Sequence, residues 1–429
     1  MPLRWKPWIG LLACASAAGA WIVCASITGT SIARASEPLD GKIESLESPA
    51  GPGSGEGNLV AGADGNLYLS WIEKDGEGHV LKFSRWEKAG WSAPFPIARG
   101  DDWFVNWADV PGMIALADGI LLAHWLAGTG SETEAYGIQV TRSGDGGKTW
   151  SAPVHPHRDT TDTEHGFASW APLSTDRAAL IWLDGRETAG ADGDGAEHGH
   201  GAEHGESAGP MTLRTTSVAA DGTLGEDVLL DERVCDCCNT ELAAMDDGSL
   251  LAVYRDRSEG EIRDISVMRF DGKAWGEGKT LHTDGWKING CPVNGPAVAV
   301  VGKNVAAAWF TVDASDHGHV RVAFSKDGGI TFGAPIEVGG ADPMGRVDVA
   351  LFPGGEARVL WMEALKDGAA EIRVRGVDPE GTLGKSRIVV TTSDSRASGF
   401  PRMARHGDAL FLAWTDPGDP PRVRTAVLR

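Results

Sequence analysis

The chain has 429 residues, a formal net charge of −21, 58 glycines, 17 tryptophans and only 3 tyrosines. A surface that binds nucleic acid needs a basic stripe, and neither the net charge nor any Lys/Arg cluster supplies one, so the composition argues against a nucleic-acid partner. Beyond the first 40 residues, the length suits two or three ordinary domains or one large all-β domain.

The N-terminal segment predicts export. Arg4 and Lys6 precede an uncharged run over residues 8–32, and Ala33-Arg34-Ala35 then provides an A-x-A cleavage site. This order is typical of a signal peptide, here residues 1–35, although the run is also long enough to remain as an N-terminal membrane anchor. The rest of the chain is expected to be periplasmic or extracellular, with membrane contact only through such an anchor. Four cysteines then remain in an oxidising space.

A strand ending in an aromatic residue recurs about every 50 to 70 residues, at Trp71, Trp125, Trp182, Tyr254, Trp309, Trp361 and Trp414. Each copy follows a small-residue strand and a tight turn, and most precede another strand. Alternating short strands with glycine-rich turns at a fixed period predict an all-β fold, a β-propeller. We expect one domain over residues 41–429 with seven four-stranded blades, closed by the segment "KIESLES". Six blades with an insertion is the alternative.

Two repeats carry a sharper motif. Residues 143–150 read "SGDGGKTW" and residues 325–332 read "SKDGGITF". In a hairpin of this kind the aspartate bonds to its own turn amides and glycine takes a positive φ. Both segments resemble the Asp box of the sialidase-like (BNR repeat) β-propellers. The resemblance implies that the boxes lie between strands three and four of a blade, on the face away from the active site.

The segment "RVCDCCNTEL" contains Cys235, Cys237 and Cys238, which should start blade four, while Cys291 should start blade five beside it. We therefore expect all four on the opposite, top face of the propeller. Disulfides are one interpretation, a metal site for copper or zinc is another, and a reactive thiol is a third. Histidines of the adjoining loops are further candidate ligands, namely His198, His200, His204, His317 and His319.

The same resemblance implies a glycan ligand and a catalytic site with three arginines, a tyrosine nucleophile paired with a glutamate, and an acid/base aspartate. The candidates on the predicted top face are Arg186, Arg255, Arg346, Arg402, Asp184 and Asp256. No tyrosine follows Tyr254, whose place in the repeating strand assigns it to packing. Standard sialidase chemistry is therefore not expected.

Three hypotheses follow for the function. The first is an exported monomer that binds or processes an extracytoplasmic ligand, a glycan by resemblance, at its top face. The second is a periplasmic metal-handling protein that uses Cys235, Cys237, Cys238 and Cys291 to hold copper or zinc. The third is a scaffold for protein partners.

Overall fold

Seven antiparallel sheets follow one another along the chain and form the blades of a β-propeller. The structure is a computed structural model that describes residues 41–88, 90–130, 135–189 and 209–429. The innermost strands of successive blades contact each other, and the innermost strand of the last blade contacts that of the first. The predicted seven-bladed, all-β fold is confirmed, and the six-bladed alternative is wrong.

The strands of the first four blades are as follows. Blade one has β2 (Ser54–Ala61), β3 (Leu67–Asp75), β4 (Gly78–Glu87), β5 (Gly90–Trp91) and β6 (Phe95–Gly100), and blade two has β7 (Gly112–Ala115), β8 (Leu121–Gly128) and β9 (Tyr136–Ser143). Blade three has β10 (His165–Ser174), β11 (Arg177–Asp184), β12 (Thr212–Ala219) and β13 (Val228–Asp231), and blade four has β14 (Glu241–Ala244), β15 (Leu250–Arg255), β16 (Ile265–Phe270) and β17 (Lys279–Thr280).

Blade five has β18 (Ala297–Val301), β19 (Asn304–Val312), β20 (Gly318–Ser325) and β21 (Ile336–Glu337). Blade six has β22 (Pro343–Leu351), β23 (Ala357–Ala364), β24 (Ala369–Val377) and β25 (Arg387–Ser393), and blade seven has β26 (Arg402–His406), β27 (Ala409–Asp416), β28 (Arg422–Leu428) and the N-terminal β1 (Ile43–Leu46). Single-turn 3₁₀ helices occupy Ala117–Gly119, Arg186–Thr188, Lys366–Gly368 and Arg396–Ser398.

The N-terminal strand closes the ring as predicted. Strand β1 pairs antiparallel with β28, from Ile43 opposite Leu428 to Leu46 opposite Thr425. The pairing covers the edge of β28 that the last blade would otherwise expose. The last blade thus combines the first and the last strand of the described residues.

Blade two departs from the predicted four strands, because among the described residues only β7, β8 and β9 pair in it. A single bridge between Val140 and Val154 marks where a fourth strand would begin. Pro153 and Pro156 flank that bridge, and proline has no N–H to continue a ladder. The connection to blade three is therefore irregular.

The repeating aromatics pack between the blades. Trp71, Trp182, Trp309, Trp361 and Tyr254 are fully buried. In three blades the indole N–H donates to a carboxylate two residues later, at 2.7 Å each: Trp71 to Glu73, Trp182 to Asp184 and Trp361 to Glu363. The Tyr254 hydroxyl likewise donates to Asp231 at 2.6 Å. Each buried polar group is thereby satisfied.

Both Asp boxes form the predicted turns at the end of a third strand. Asp145 accepts a hydrogen bond from the Thr149 amide at 3.0 Å and from the Thr149 hydroxyl at 2.7 Å. Asp327 accepts the equivalent pair from Thr331, at 2.9 and 2.6 Å. These turns define the bottom face, and the starts of the innermost strands define the top face.

The predicted signal peptide or anchor, residues 1–35, lies outside the described residues and stays a prediction. Within the described part of the chain, no helix has the length and apolar character that crossing a membrane requires.

Candidate functional site

The "CDCC" segment lies at the top of blade four, as predicted. The Cys235 amide donates to the Arg255 carbonyl at 3.0 Å, which ties the segment to the end of β15. Beyond this bond the backbone turns instead of continuing as a strand, and the turn brings three thiols together. The Sγ atoms of Cys235, Cys237 and Cys238 all lie within 4.8 Å of one another, with 3.3 Å between Cys235 and Cys238.

Cys291 reaches the same site from the top of blade five but lies outside this group of three. Its side chain is exposed, and its thiol interacts with that of Cys237. All four cysteines are free thiols, and 3.3 Å between Cys235 and Cys238 exceeds the covalent S–S length of about 2.05 Å. The structure thus brings the predicted cysteines together without forming the disulfide that one interpretation expected.

A buried arginine contacts the thiol group of three. Arg263 Nη1 lies 3.2 Å from Cys235 Sγ, and the arginine side chain is 2% exposed. Burial by itself raises the pKa of Cys235, but hydrogen bonds from Cys237 and Cys238 and the charge of Arg263 outweigh it and hold the pKa well below its usual range. Burial raises the pKa of Cys238. Cys235 is therefore the most acidic thiol of the three.

The charged segment "YRDRSEGEIRD" surrounds this thiol. Arg257 pairs with Asp236 at 3.1 Å and with Glu261 at 2.9 Å, and Glu261 also pairs with Arg263 at 2.9 Å. Asp236 stands between Cys235 and Cys237 in the sequence, so the ion-pair network holds the cysteine segment against the loop after β15. Its location fits a charged shell around the cysteines.

Two of the predicted catalytic arginines are bound by backbone carbonyls. Arg255 donates to the carbonyls of Arg263, Asn294 and Phe310 at 2.6 to 2.8 Å. Arg346 donates to two carbonyls of the segment before β26, and its guanidinium lies 4.8 Å above the ring of Trp107. Burial lowers the pKa of Arg346 to about 10. Both side chains are buried and join blades to each other.

The remaining candidates have other partners. Arg186 pairs with Asp184 at 2.7 Å and with Asp227 at 2.8 Å, on blade three. Asp256 accepts from the Arg257 amide at 2.7 Å. Arg402 lies 3.8 Å from Glu241 inside the channel. The four predicted arginines thus have four separate sets of partners, and the structure does not gather them around one ligand.

A polar cavity lies along the innermost strands of blades one to four and seven. Its lining includes Asn58, Asp109, Trp170, Asn239, Glu241 and Arg402. Burial raises the pKa of Asp109 to about 7 and that of Glu241 to about 8. Both carboxyls are held in an environment that favours their neutral form.

None of the three tyrosines is exposed for use as a nucleophile, although Tyr136 pairs with a glutamate as the nucleophile of the resembled family does. All three are buried, and each donates its hydroxyl to a carboxylate: Tyr68 to Asp64, Tyr136 to Glu164 and Asp109, and Tyr254 to Asp231. Burial, followed by the neighbouring aspartate, raises the pKa of Tyr68 and of Tyr254. The hydroxyls of Tyr68 and Tyr254 are therefore protonated packing groups at neutral pH.

Sequence reasoning missed a second cluster, made of His157, Asp159 and His165. The spacing H-x-D over residues 157–159 was the available signal, but the third member comes from the next strand. Of the histidines predicted as further ligands, His319 instead bonds to Asp313 and Glu337. His198, His200 and His204 lie outside the described residues.

Comparisons with known proteins agree with this architecture. No protein-family model and no curated protein matches the chain. Among solved structures, the polysaccharide lyase Uly1 superimposes with a TM-score of 0.50 at 9% identity, over 87% of this chain and 90% of that one. A protein of unknown function from Dyadobacter fermentans gives 0.49 at 15% identity over 91% and 99%, and the Hadza microbial sialidase Hz136 gives 0.47 at 14% over 81% and 73%.

This chain has a sialidase-like β-propeller fold. The resemblance predicted from the Asp boxes is therefore confirmed for the fold. At these identities the sialidase-like fold does not identify a ligand, so the function has to be argued from the chain's own residues.

Proposed function

We propose that this protein binds a soft metal ion, copper(I), through the thiolates of Cys235, Cys237 and Cys238. The observation that carries the proposal is the grouping of three sulfur atoms within 4.8 Å on one turn. Soft thiolate ligands select copper(I) and zinc, but structural zinc sites take four ligands. The fourth cysteine, Cys291, is exposed and outside the group, which favours copper(I).

Charge and burial support the same assignment. Three thiolates around a monovalent ion leave excess negative charge, and Arg263 supplies a buried positive charge at Cys235. Cys235 and Cys238 are 1% and 2% exposed, so a bound ion would be largely withdrawn from water. Export, which the N-terminal segment predicts, is part of the proposal: in an oxidising space a bound metal protects neighbouring thiols from pairing.

The test is copper(I) titration of the full-length chain, purified anaerobically, against a chromophoric copper(I) chelator. We expect one tightly held copper per chain, and loss of that copper in Cys235→Ser and Cys238→Ser. The matched control is Cys14→Ser/Cys24→Ser, which removes the two thiols of the N-terminal segment and should leave the stoichiometry unchanged. If the purified protein contained no free thiols and no metal, the cysteines of this segment would instead form structural disulfides.

The channel cavity favours a second candidate, an extracytoplasmic small ligand of the glycan class that the Asp-box resemblance implies. Trp170 offers an aromatic ring, Arg402 a positive charge and Glu241 a carboxyl group whose neutral form is favoured, within the same cavity. We infer weak binding without hydrolysis. Calorimetry with N-acetylneuraminic acid and with a neutral arabino-oligosaccharide, on the parent and on Arg402→Ala, checks it; heats equal to dilution for both sugars would exclude this candidate.

A further inference from the structure

A second set of metal-binding side chains lies at the top of blade three. His165 is the first residue of β10, and His157 and Asp159 belong to the connection that leaves blade two. His165 Nε2 is 2.6 Å from Asp159 Oδ2, and His157 Nδ1 is 3.9 Å from the same oxygen. One ligand atom from each residue lies within 4.8 Å of the other two; the rings of His157 and His165 stack with their centroids 4.1 Å apart, so His157 has to turn for both to bind one ion.

His157 lacks the partners that a buried imidazole normally has. It is 7% exposed, and both ring nitrogens are buried without a hydrogen-bond partner. Buried polar groups in folded proteins are nearly always satisfied, and leaving one unpaired costs about 1 to 3 kcal/mol. An ion bound beside Asp159 would give Nδ1 the partner that the protein does not provide.

His165 is already oriented as a ligand. Its Nδ1 lies 3.0 Å from the Thr163 carbonyl, and since a carbonyl only accepts, Nδ1 carries the hydrogen and donates it. Nε2 in turn donates to Asp159 Oδ2 at 2.6 Å, so the ring carries a proton on each nitrogen, and a bound ion would take the place of the Nε2 proton. A metal-binding histidine is usually fixed in this way, with its second nitrogen donating to a carbonyl or carboxylate.

Asp159 has partners on both carboxylate oxygens, because Oδ1 accepts from the amide and hydroxyl of Thr161 and Oδ2 accepts from His165. Arg186 Nε is 3.4 Å from Asp159, but the same guanidinium has shorter pairs with Asp184 at 2.7 Å and with Asp227 at 2.8 Å. Those two carboxylates compensate the arginine. Asp184 also lies 3.7 Å from His165 Nε2 and adds negative potential on that side.

We propose that His157, Asp159 and His165 bind a divalent transition-metal ion, zinc first. Two imidazoles and a carboxylate suit a borderline ion such as zinc, whereas the three thiolates of blade four suit a soft one. The two sites are built on different blades from different ligand types. The test of this site is therefore independent of the test of the copper site.

The experiment uses cobalt(II) as a spectroscopic substitute for zinc, on the full-length chain with His198, His200 and His204 replaced by alanine. That background removes the histidine-rich insert as an alternative binder, and Cys235→Ser and Cys238→Ser are added to it so that the thiol group does not compete for cobalt. We expect one cobalt per chain with visible bands and no sulfur-to-cobalt charge transfer, displaced by zinc. His157→Ala should lose it, and Asp159→Asn, which keeps the size of the side chain, should weaken it at least tenfold.

The matched control is His155→Ala, because His155 is exposed and lies beside His157 with a ring separation of 5.3 Å. It should bind cobalt like the parent. Thermal unfolding without metal establishes that each variant is folded. If His157→Ala does not fold, the cobalt binding of Asp159→Asn tests the proposal instead. Equal cobalt binding by the parent, His157→Ala and Asp159→Asn would overturn the proposal, as would a spectrum that shows only sulfur ligation.

Discussion

Arg263 Nη1 and Cys235 Sγ lie 3.2 Å apart in a buried environment at the top of blade four. The arginine belongs to the loop after β15 and the cysteine to the segment before β14, so the contact joins two parts of one blade. A buried guanidinium next to a sulfur favours the thiolate form. The electrostatics of the cysteine group therefore depend on a residue 28 positions away in the sequence.

Replacing this arginine should change the acidity of the group. In Arg263→Gln the positive charge is lost, so we expect the lowest thiol pKa of the metal-free protein to rise. A pH titration of thiolate absorbance measures it. Arg257→Gln is the control: Arg257 pairs with Asp236 and Glu261, and we expect a smaller rise. An unchanged titration in Arg263→Gln would mean that the contact has no electrostatic role.

Arg255 should matter for stability. Its three hydrogen bonds to carbonyls at 2.6 to 2.8 Å are buried, and Arg255→Met leaves those acceptors unpaired. We expect a loss of about 3 kcal/mol or more in the free energy of unfolding, measured by urea denaturation. Arg424→Ala, at a pair whose arginine is 46% exposed, should stay within about 0.5 kcal/mol. Similar losses of unfolding free energy in Arg255→Met and Arg424→Ala would contradict the stabilising role assigned to Arg255.

These two arginines show why the fold was easier to predict than the site. The fold follows from local, repeated signals: a strand ending in an aromatic and two Asp boxes. Arg255 and Arg263 stand in the same charged segment and look alike in sequence. Arg255 binds backbone carbonyls of blades four and five, whereas Arg263 contacts the thiol of Cys235. This difference depends on contacts between distant parts of the chain.

The channel carboxyl of Glu241 should make stability depend on pH. Its pKa is raised from 4.5 to about 8 in the folded chain, so the native state keeps a proton that the unfolded state loses. Its contribution is complete below about pH 4.5 and is lost as pH rises toward 8, by about 1 kcal/mol per pH unit. Urea midpoints from pH 5 to 8 should fall less in Glu241→Gln than in the parent.

Because Asp109 also has a raised pKa, of about 7, part of the pH dependence of stability should remain in Glu241→Gln. If the urea midpoint of Glu241→Gln fell with pH as steeply as that of the parent, Glu241 would ionise normally in the folded protein.

Sialidase activity should be absent. The nucleophile of the resembled family is a tyrosine, and here all three tyrosines are buried, with no more than 2% of any of them exposed. Release of 4-methylumbelliferone from its sialic-acid conjugate should not exceed the rate without enzyme. Turnover that disappears in Arg402→Ala would show that another group replaces the tyrosine.

The cysteine grouping was predictable only in part. The repeat order placed Cys235, Cys237, Cys238 and Cys291 at neighbouring blade starts, but strand alternation alone would send Cys238 away from Cys235. A turn after Cys235 instead brings the thiol of Cys238 next to that of Cys235. Cys291 stays outside this group. His157 and His165 were missed because blade two lacks a fourth strand, and the irregular connection carries His157 next to β10.

X-ray absorption at the copper edge of the copper(I)-loaded, full-length chain tests the proposed function most directly. The grouping of Cys235, Cys237 and Cys238 within 4.8 Å predicts a first shell of three sulfur atoms without nitrogen or oxygen. In Cys238→Ser one sulfur should be lost, while Cys14→Ser/Cys24→Ser should keep all three. A shell dominated by nitrogen or oxygen, or one unaffected by Cys238→Ser, would contradict copper binding at these thiols.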